Sequence, residues 1–141
     1  MIITTWNIRG LNSRGKQRYL NERLKKEKPS VMIVQETKIS TEKMREILNK
    51  SRSSYEMMGL DEIGSVGGLI FIWNPEEIHF SNWMSLPRIL SGTASIVGTK
   101  EEFIITGVYG PHTKRKGKLS AKSKSLALPH TWKTMDSRWG F

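Results

Sequence analysis

Ser30-Val31-Met32-Ile33-Val34-Gln35-Glu36-Thr37-Lys38 is the stretch from which the fold follows. Val31 to Val34 are four consecutive apolar residues, two of them Val and one Ile. Such a run reads as a strand covered on both faces. It then ends in a carboxylate. Burying an unpaired charge costs several kcal/mol, so Glu36 either reaches solvent at the strand tip or holds a cation. From this stretch by itself both readings stand.

The chain opens with a second short β-rich run, Met1-Ile2-Ile3-Thr4-Thr5-Trp6-Asn7, which also ends in an oxygen donor. Between the two runs the pattern predicts a helix from about Lys16 to Glu27, with Tyr19, Leu20 and Leu24 on one face and Lys, Arg and Glu on the other. Asn12 or Ser13 supplies the cap, and Pro29 closes the connection. Strand, helix and strand at this spacing form a βαβ crossover, so the two strands are parallel and neighbouring. Asn7 and Glu36 then emerge side by side at the carboxyl edge, where open sheets bind ligands. An amide oxygen beside a carboxylate suits a hard divalent cation such as Mg²⁺, which takes one or two protein oxygens and keeps several waters.

Two motifs in order, Thr5-Trp6-Asn7-Ile8-Arg9-Gly10-Leu11-Asn12-Ser13 and Val34-Gln35-Glu36-Thr37-Lys38, resemble the endonuclease/exonuclease/phosphatase superfamily. Within it the sequence is most similar to the apurinic/apyrimidinic-like endonuclease domain of LINE-type (non-LTR) retrotransposons. The resemblance continues through Gly67-Gly68-Leu69-Ile70-Phe71-Ile72-Trp73 and Ile104-Ile105-Thr106-Gly107-Val108-Tyr109-Gly110-Pro111, covering roughly residues 2 to 111. It implies that Asn7 and Glu36 belong to a Mg²⁺ (or Mn²⁺) site and that Tyr109 lies beside the scissile phosphate. Without it, Tyr109 is a strand-end aromatic ahead of the turn residues Gly110-Pro111.

Further along, a second helix starts at Ser40 or Thr41 and runs to about Lys50, with Met44, Ile47 and Leu48 as core positions. A short strand is expected from Ser54 to Met58 and a loop from Gly59 to Gly68 that contains Asp61. Leu69 to Trp73 is another buried run, stopped by Asn74-Pro75. Ile78 to Trp83 alternates apolar and polar as a half-exposed strand does, which puts His79 on the polar face. Leu90 to Val97 and Glu101 to Tyr109 are two more strands, joined by a hairpin turn at Gly98-Thr99-Lys100. Trp6, Trp73 and Trp83 read as core aromatics. The fold class is α/β (α+β), with one sheet packed on another and helices outside. The resemblance makes that the N-terminal portion of a four-layer α/β/β/α sandwich.

The 141 residues carry a net charge of +10 and no cysteine, which excludes disulfides, thiolate nucleophiles and Cys-ligated zinc. No apolar run approaches the roughly 18 residues that span a bilayer, and the N-terminus lacks the layout of a secretion signal. The expected setting is intracellular, and nuclear if the resemblance holds, with no membrane partner and no small-molecule cofactor. The charge is uneven. Residues 1–111 hold 15 Lys and Arg against 12 Asp and Glu, whereas residues 112–141 hold 8 against 1. Residues 112–141 are thus a basic Lys/Ser-rich tail, either an arm attracting the DNA phosphate backbone or a solvated, disordered end, and the resemblance implies that 1–111 are a partial endonuclease/exonuclease/phosphatase-like domain.

The chemistry that the resemblance implies is phosphodiester hydrolysis. In the family, a later Asp-x-Asn motif and a terminal Asp-His pair complete the site. Here the two aspartates, Asp61 and Asp136, lie in neither motif, and His112 and His130 have no neighbouring Asp. The expectation is a truncated, inactive or nearly inactive relative of a Mg²⁺-dependent DNA endonuclease. Two alternatives are a non-catalytic basic nucleic-acid binder and a phosphatase or lipid phosphodiesterase of the same superfamily.

Overall fold

The computed structural model describes residues 1–60 and 68–109, together with the backbone of 132–135. Among them, β1 (Ile3–Asn7), α1 (Arg14–Glu27), β2 (Val31–Gln35), α2 (Thr41–Lys50), β3 (Glu56–Leu60), β4 (Leu69–Trp73), β5 (Ile78–Leu86), β6 (Ile89–Ile96), β7 (Glu102–Val108) and β8 (Trp132–Met135) follow in order. Five strands form one sheet in the order β3-β4-β2-β1-β8, and three form a second in the order β5-β6-β7.

The first sheet lies between two cores, and strand periodicity shows how. Trp6, Met32, Val34, Ile70 and Ile72 pack against Leu20 and Leu24 of α1 and Met44, Ile47 and Leu48 of α2. The intervening residues Ile3, Val31, Ile33, Leu69, Phe71 and Trp73 pack against Ile78, Phe80, Leu90, Ala94 and Ile105 of the second sheet. Alternate side chains of a strand face opposite sides, so β2 and β4 carry apolar residues at successive positions. Their near-continuous runs follow from that double burial, whereas β1 buries Thr4 and Thr5 between Ile3 and Trp6. Every residue of β2 and β4 is buried. Full burial of one such side chain contributes about 1.5–3 kcal/mol.

The helices are bounded by local chemistry. Ser13 caps α1, its hydroxyl accepting from the Lys16 amide at 3.2 Å, and Ser40 caps α2 through the Lys43 amide at 3.1 Å. Lys28, left-handed at φ 46°, ends α1 by returning its amide to the Leu24 carbonyl ahead of Pro29. β1 and β2 pair in parallel with Ile3 opposite Val31 and Asn7 opposite Gln35, as the crossover requires. β4 runs antiparallel to β2 and β3.

The second sheet is an antiparallel meander. Val97 to Lys100 turn β6 into β7, with Gly98 at φ 83°. Ser81 to Met84 interrupt the β5–β6 register, and Trp83 stacks on Phe80 at 4.8 Å between ring centroids. A Cβ on Gly107 of β7 would come within 2.7 Å of the Phe71 ring, so the two sheets touch there at backbone distance. Trp6 and Trp73 are core aromatics, Trp83 packs against the inter-sheet core, and His79 is exposed.

The structure departs from the sequence reading at β3 and at β8. The strand expected at Ser54–Met58 runs Glu56–Leu60, so Gly59 and Leu60 leave the expected loop. Asp61 and the rest of 61–67 lie outside the described residues. Within the segment read as a tail, β8 pairs in parallel with β1, Ile3 opposite Trp132 and Trp6 opposite Met135. The remainder of 110–141, with His112, His130 and Asp136, lies outside the described residues. No helix among the described residues is long and apolar enough to cross a membrane.

Candidate functional site at the carboxyl edge of the first sheet

β1 and β2 end level with one another at Asn7 and Gln35, and their continuations stay paired in an irregular way. The Ile8 amide donates to the Gln35 carbonyl at 3.0 Å, Gly10 to Glu36 at 2.6 Å, and Leu11 to Thr37 at 2.8 Å. Four residues in these two turns have positive φ: Arg9 at 51°, Gly10 at 94°, Glu36 at 54° and Lys38 at 52°. For a residue other than glycine this conformation costs on the order of 1–3 kcal/mol and persists only where the surroundings over-determine it. Three such residues in two adjoining turns mark the most constrained backbone near the edge.

The conformation of Glu36 decides where its carboxylate goes. Strand alternation would send residue 36 toward the helix layer, with Met32 and Val34. The left-handed turn ends the strand instead, and the carboxylate meets the second sheet. There the Tyr109 hydroxyl donates to Glu36 Oε1 at 3.0 Å. Glu36 is only 4% exposed and Tyr109 only 3%, which overturns the reading of Glu36 as a solvated strand tip. Gln35 makes the adjoining inter-sheet contact, its Nε2 donating to the Val108 carbonyl at 3.4 Å. The Gln35-Glu36 pair thus meets Val108-Tyr109 across the sandwich. On its other side, the Tyr109 amide donates to the Arg88 carbonyl at 2.8 Å.

Electrostatics follow from this packing. Burial pushes the Tyr109 phenol up to about 12, helped by its hydrogen bond to Glu36 and the charge of that carboxylate, and opposed by Arg88. The phenol therefore stays protonated at neutral pH and acts as a donor. Glu36 has no basic side chain within 4 Å among the described residues, so one neutral hydroxyl is what it receives from a neighbouring side chain there. A buried carboxylate compensated so lightly favours a cation. Asn7, half-buried, accepts the Arg9 amide on Oδ1 at 3.2 Å and has a second lone pair to offer.

That donor set fits a hard divalent ion, for which one carboxylate and one amide oxygen with retained waters is ordinary coordination. No cluster of three or more His, Asp or Glu able to hold a metal occurs among the described residues, so among those residues Asn7 and Glu36 would be the ligands at this edge. All three residues singled out from the sequence, Asn7, Glu36 and Tyr109, lie at or beside this edge.

Sequence reasoning missed several supports. Thr37 is fully buried, with its hydroxyl oxygen lacking a hydrogen-bond partner among the described residues. Gly68, at φ 95°, lies so close that a Cβ there would fall 2.0 Å from that hydroxyl. The glycine-rich turn was visible in the sequence; its contact with Thr37 was not. Lys16 reaches back from α1 to the Ile8 and Arg9 carbonyls at 2.8 and 3.2 Å, and nothing in its local sequence signals that.

Comparison with known proteins supplies the fold's relatives. No family description matches the chain, and no characterised protein matches it by sequence. Solved structures do match. A humanised Danio rerio TDP2 aligns at TM-score 0.62 and 15% identity, over 79% of this chain and 48% of that one. An endonuclease/exonuclease/phosphatase family protein from Bacteroides thetaiotaomicron aligns at 0.60 and 12%, over 80% and 51%. An AP endonuclease from Archaeoglobus fulgidus aligns at 0.50 and 24%, over 70% and 38%. The chain is similar to these in fold, that of the endonuclease/exonuclease/phosphatase superfamily, and spans about half their length or less. None of these matches bears on the retrotransposon type.

Proposed function

We propose that residues 1–109 carry the metal- and phosphate-facing half of a phosphodiesterase site, of the kind found in LINE-type retrotransposon endonucleases. One observation carries this reading: a buried carboxylate, Glu36, held by the neutral Tyr109 hydroxyl at 3.0 Å and placed next to the strand end that bears Asn7. Asn7 and Glu36 would hold Mg²⁺ or Mn²⁺. When bound, such an ion supplies Lewis-acid polarisation of a phosphoryl oxygen and stabilises charge on the leaving oxygen. The chain's own residues do the rest of what can be derived. Tyr109 orients the Glu36 carboxylate and offers a donor at the place a phosphate would approach. The exposed cations Arg9 and Lys38 flank the two turns and draw in a polyanion such as the DNA backbone.

Water activation needs a further base, and the 141 residues contain no Asp-x-Asn motif and no Asp-His pair. The reading is therefore that this chain hydrolyses DNA weakly or not at all. The basic segment around β8 acts as a phosphate-attracting arm, and a DNA substrate would put the protein in the nucleus. The second reading, a nucleic-acid binder without catalysis, is favoured by the charge excess of residues 112–141.

Plasmid nicking and Mn²⁺ titration, each with wild type and Glu36→Gln, test this. The account expects one Mn²⁺ site that Glu36→Gln weakens at least about tenfold, the effect usual for a lost ligand or its support. It also expects any trace of nicking to vanish in that variant. Equal Mn²⁺ affinity in the two proteins would refute the metal site. Steeply salt-dependent DNA binding with no metal effect would leave the binder.

A further inference from the structure

Lys16 lies in the first turns of α1, yet its side chain points back over the turn that follows β1. That turn has a difficulty of its own. β1 stops at Asn7, and the left-handed Arg9 breaks the ladder, leaving the carbonyls of Ile8 and Arg9 without a backbone donor among the described residues. Orphaned backbone acceptors near a core are costly. The Lys16 ammonium answers both, donating to Ile8 O at 2.8 Å and Arg9 O at 3.2 Å. Gln17 adds a contact from its Nε2 to the Leu11 carbonyl at 3.0 Å. The amides of the same turn grip the far side: Gly10 donates to the Glu36 carbonyl and Leu11 to that of Thr37. A continuous path of hydrogen bonds therefore runs from the α1 side chain through residues 8–11 to the backbone of Glu36. The Lys38 stem also passes 3.6 Å from the Cβ position of Gly10.

We propose that Lys16 is a positioning residue, whose ammonium holds the 8–11 turn in its left-handed form and so sets Asn7 and Glu36 in register for one cation. This rests on the metal-site reading given above. Lysine suits the task because its three donors can serve two carbonyls at once. Burial and the nearby charges of Lys38 and Arg9 lower its pKa, and no carboxylate lies within 4 Å of it among the described residues. Backbone carbonyls are what it was found to hold.

The test compares wild type, Lys16→Met, Lys16→Arg and Glu36→Gln by Mn²⁺ titration, amide hydrogen exchange, oligonucleotide binding against salt, and melting temperature. Lys16→Met is expected to weaken Mn²⁺ about tenfold or more and to speed exchange at the Gly10 and Leu11 amides. The salt slope of binding should stay near wild type, the melting temperature should fall modestly because two carbonyls lose their donor, and Lys16→Arg should recover most of both losses. Should Lys16→Met not fold, Lys16→Gln, which keeps amide donors for one carbonyl, replaces it with an intermediate effect expected. Unchanged Mn²⁺ affinity in Lys16→Met, with a loss in Glu36→Gln, overturns the positioning role alone. A shallower salt slope with unchanged Mn²⁺ affinity also overturns it, because Lys16 would then be touching phosphate directly. No effect of Glu36→Gln on Mn²⁺ removes the metal site and this proposal together.

Discussion

Tyr109 has lost nearly all contact with water, and its hydroxyl has one side-chain acceptor, Glu36. Substituting Phe keeps the ring's packing but takes the donor from a buried carboxylate, at a cost of about 1–3 kcal/mol. The same hydroxyl gives a pH signature. Its pKa rises from 10.0 in the unfolded chain to about 12 in the folded one. Below pH 10 the phenol is protonated in both states and its contribution is complete. Between 10 and 12 the unfolded chain sheds the proton first, so stability falls with rising pH. Tyr55, which donates to the Pro29 carbonyl at 2.8 Å and is raised to about 12 by burial and then by Glu77, acts in the same window. Urea midpoints measured from pH 9 to 11.5 should therefore drop in wild type and drop less in Tyr109→Phe and in Tyr55→Phe. An unaltered slope in Tyr109→Phe would mean that the phenol is not buried against Glu36.

At the scale of elements, the turn from β2 toward α2 depends on the residue that opens β4. Gly68 combines φ 95° with a Cβ position 2.0 Å from Thr37 Oγ1 and 3.2 Å from the Lys38 amide. Alanine there meets both strain and a clash with the side chain of Thr37, the residue after Glu36. Gly68→Ala should destabilise the fold by more than about 1 kcal/mol and weaken Mn²⁺ binding as well. A variant that melts like wild type and binds Mn²⁺ equally would show that the two turns are not mechanically linked. The elements themselves were legible for a physical reason. β2 and β4 are buried on both faces and so spell out apolar runs, while α1 and α2 show one apolar stripe each behind a serine N-cap. What no run or stripe encodes is the left-handed φ of Glu36. That conformation arises from the tertiary contact with Tyr109 and from the paired turn, 73 and 26 residues away, and local patterning does not register contacts of such range.

For the molecule as a whole, the β1-α1-β2 crossover was readable from spacing, and with it the shared edge for Asn7 and Glu36. The β8 strand was not. Trp132-Lys133-Thr134-Met135 is four residues long within a Lys- and Ser-rich segment, and its partner lies at the opposite end of the chain. Parallel pairing places Trp132–Met135 next to β1, whose end bears Asn7. The site thus draws on both sheets: β1 and β2 supply the oxygens, and the residue after β7 supplies the phenol. The most direct measurement of that assembly is a crystal of this chain soaked in Mn²⁺, with anomalous scattering used to locate the ion. The account predicts one peak about 2.1 Å from both Asn7 Oδ1 and a Glu36 oxygen, with Tyr109 still bonded to the carboxylate. No peak at that edge, or one bound elsewhere while Glu36 and Asn7 remain bare, would contradict it.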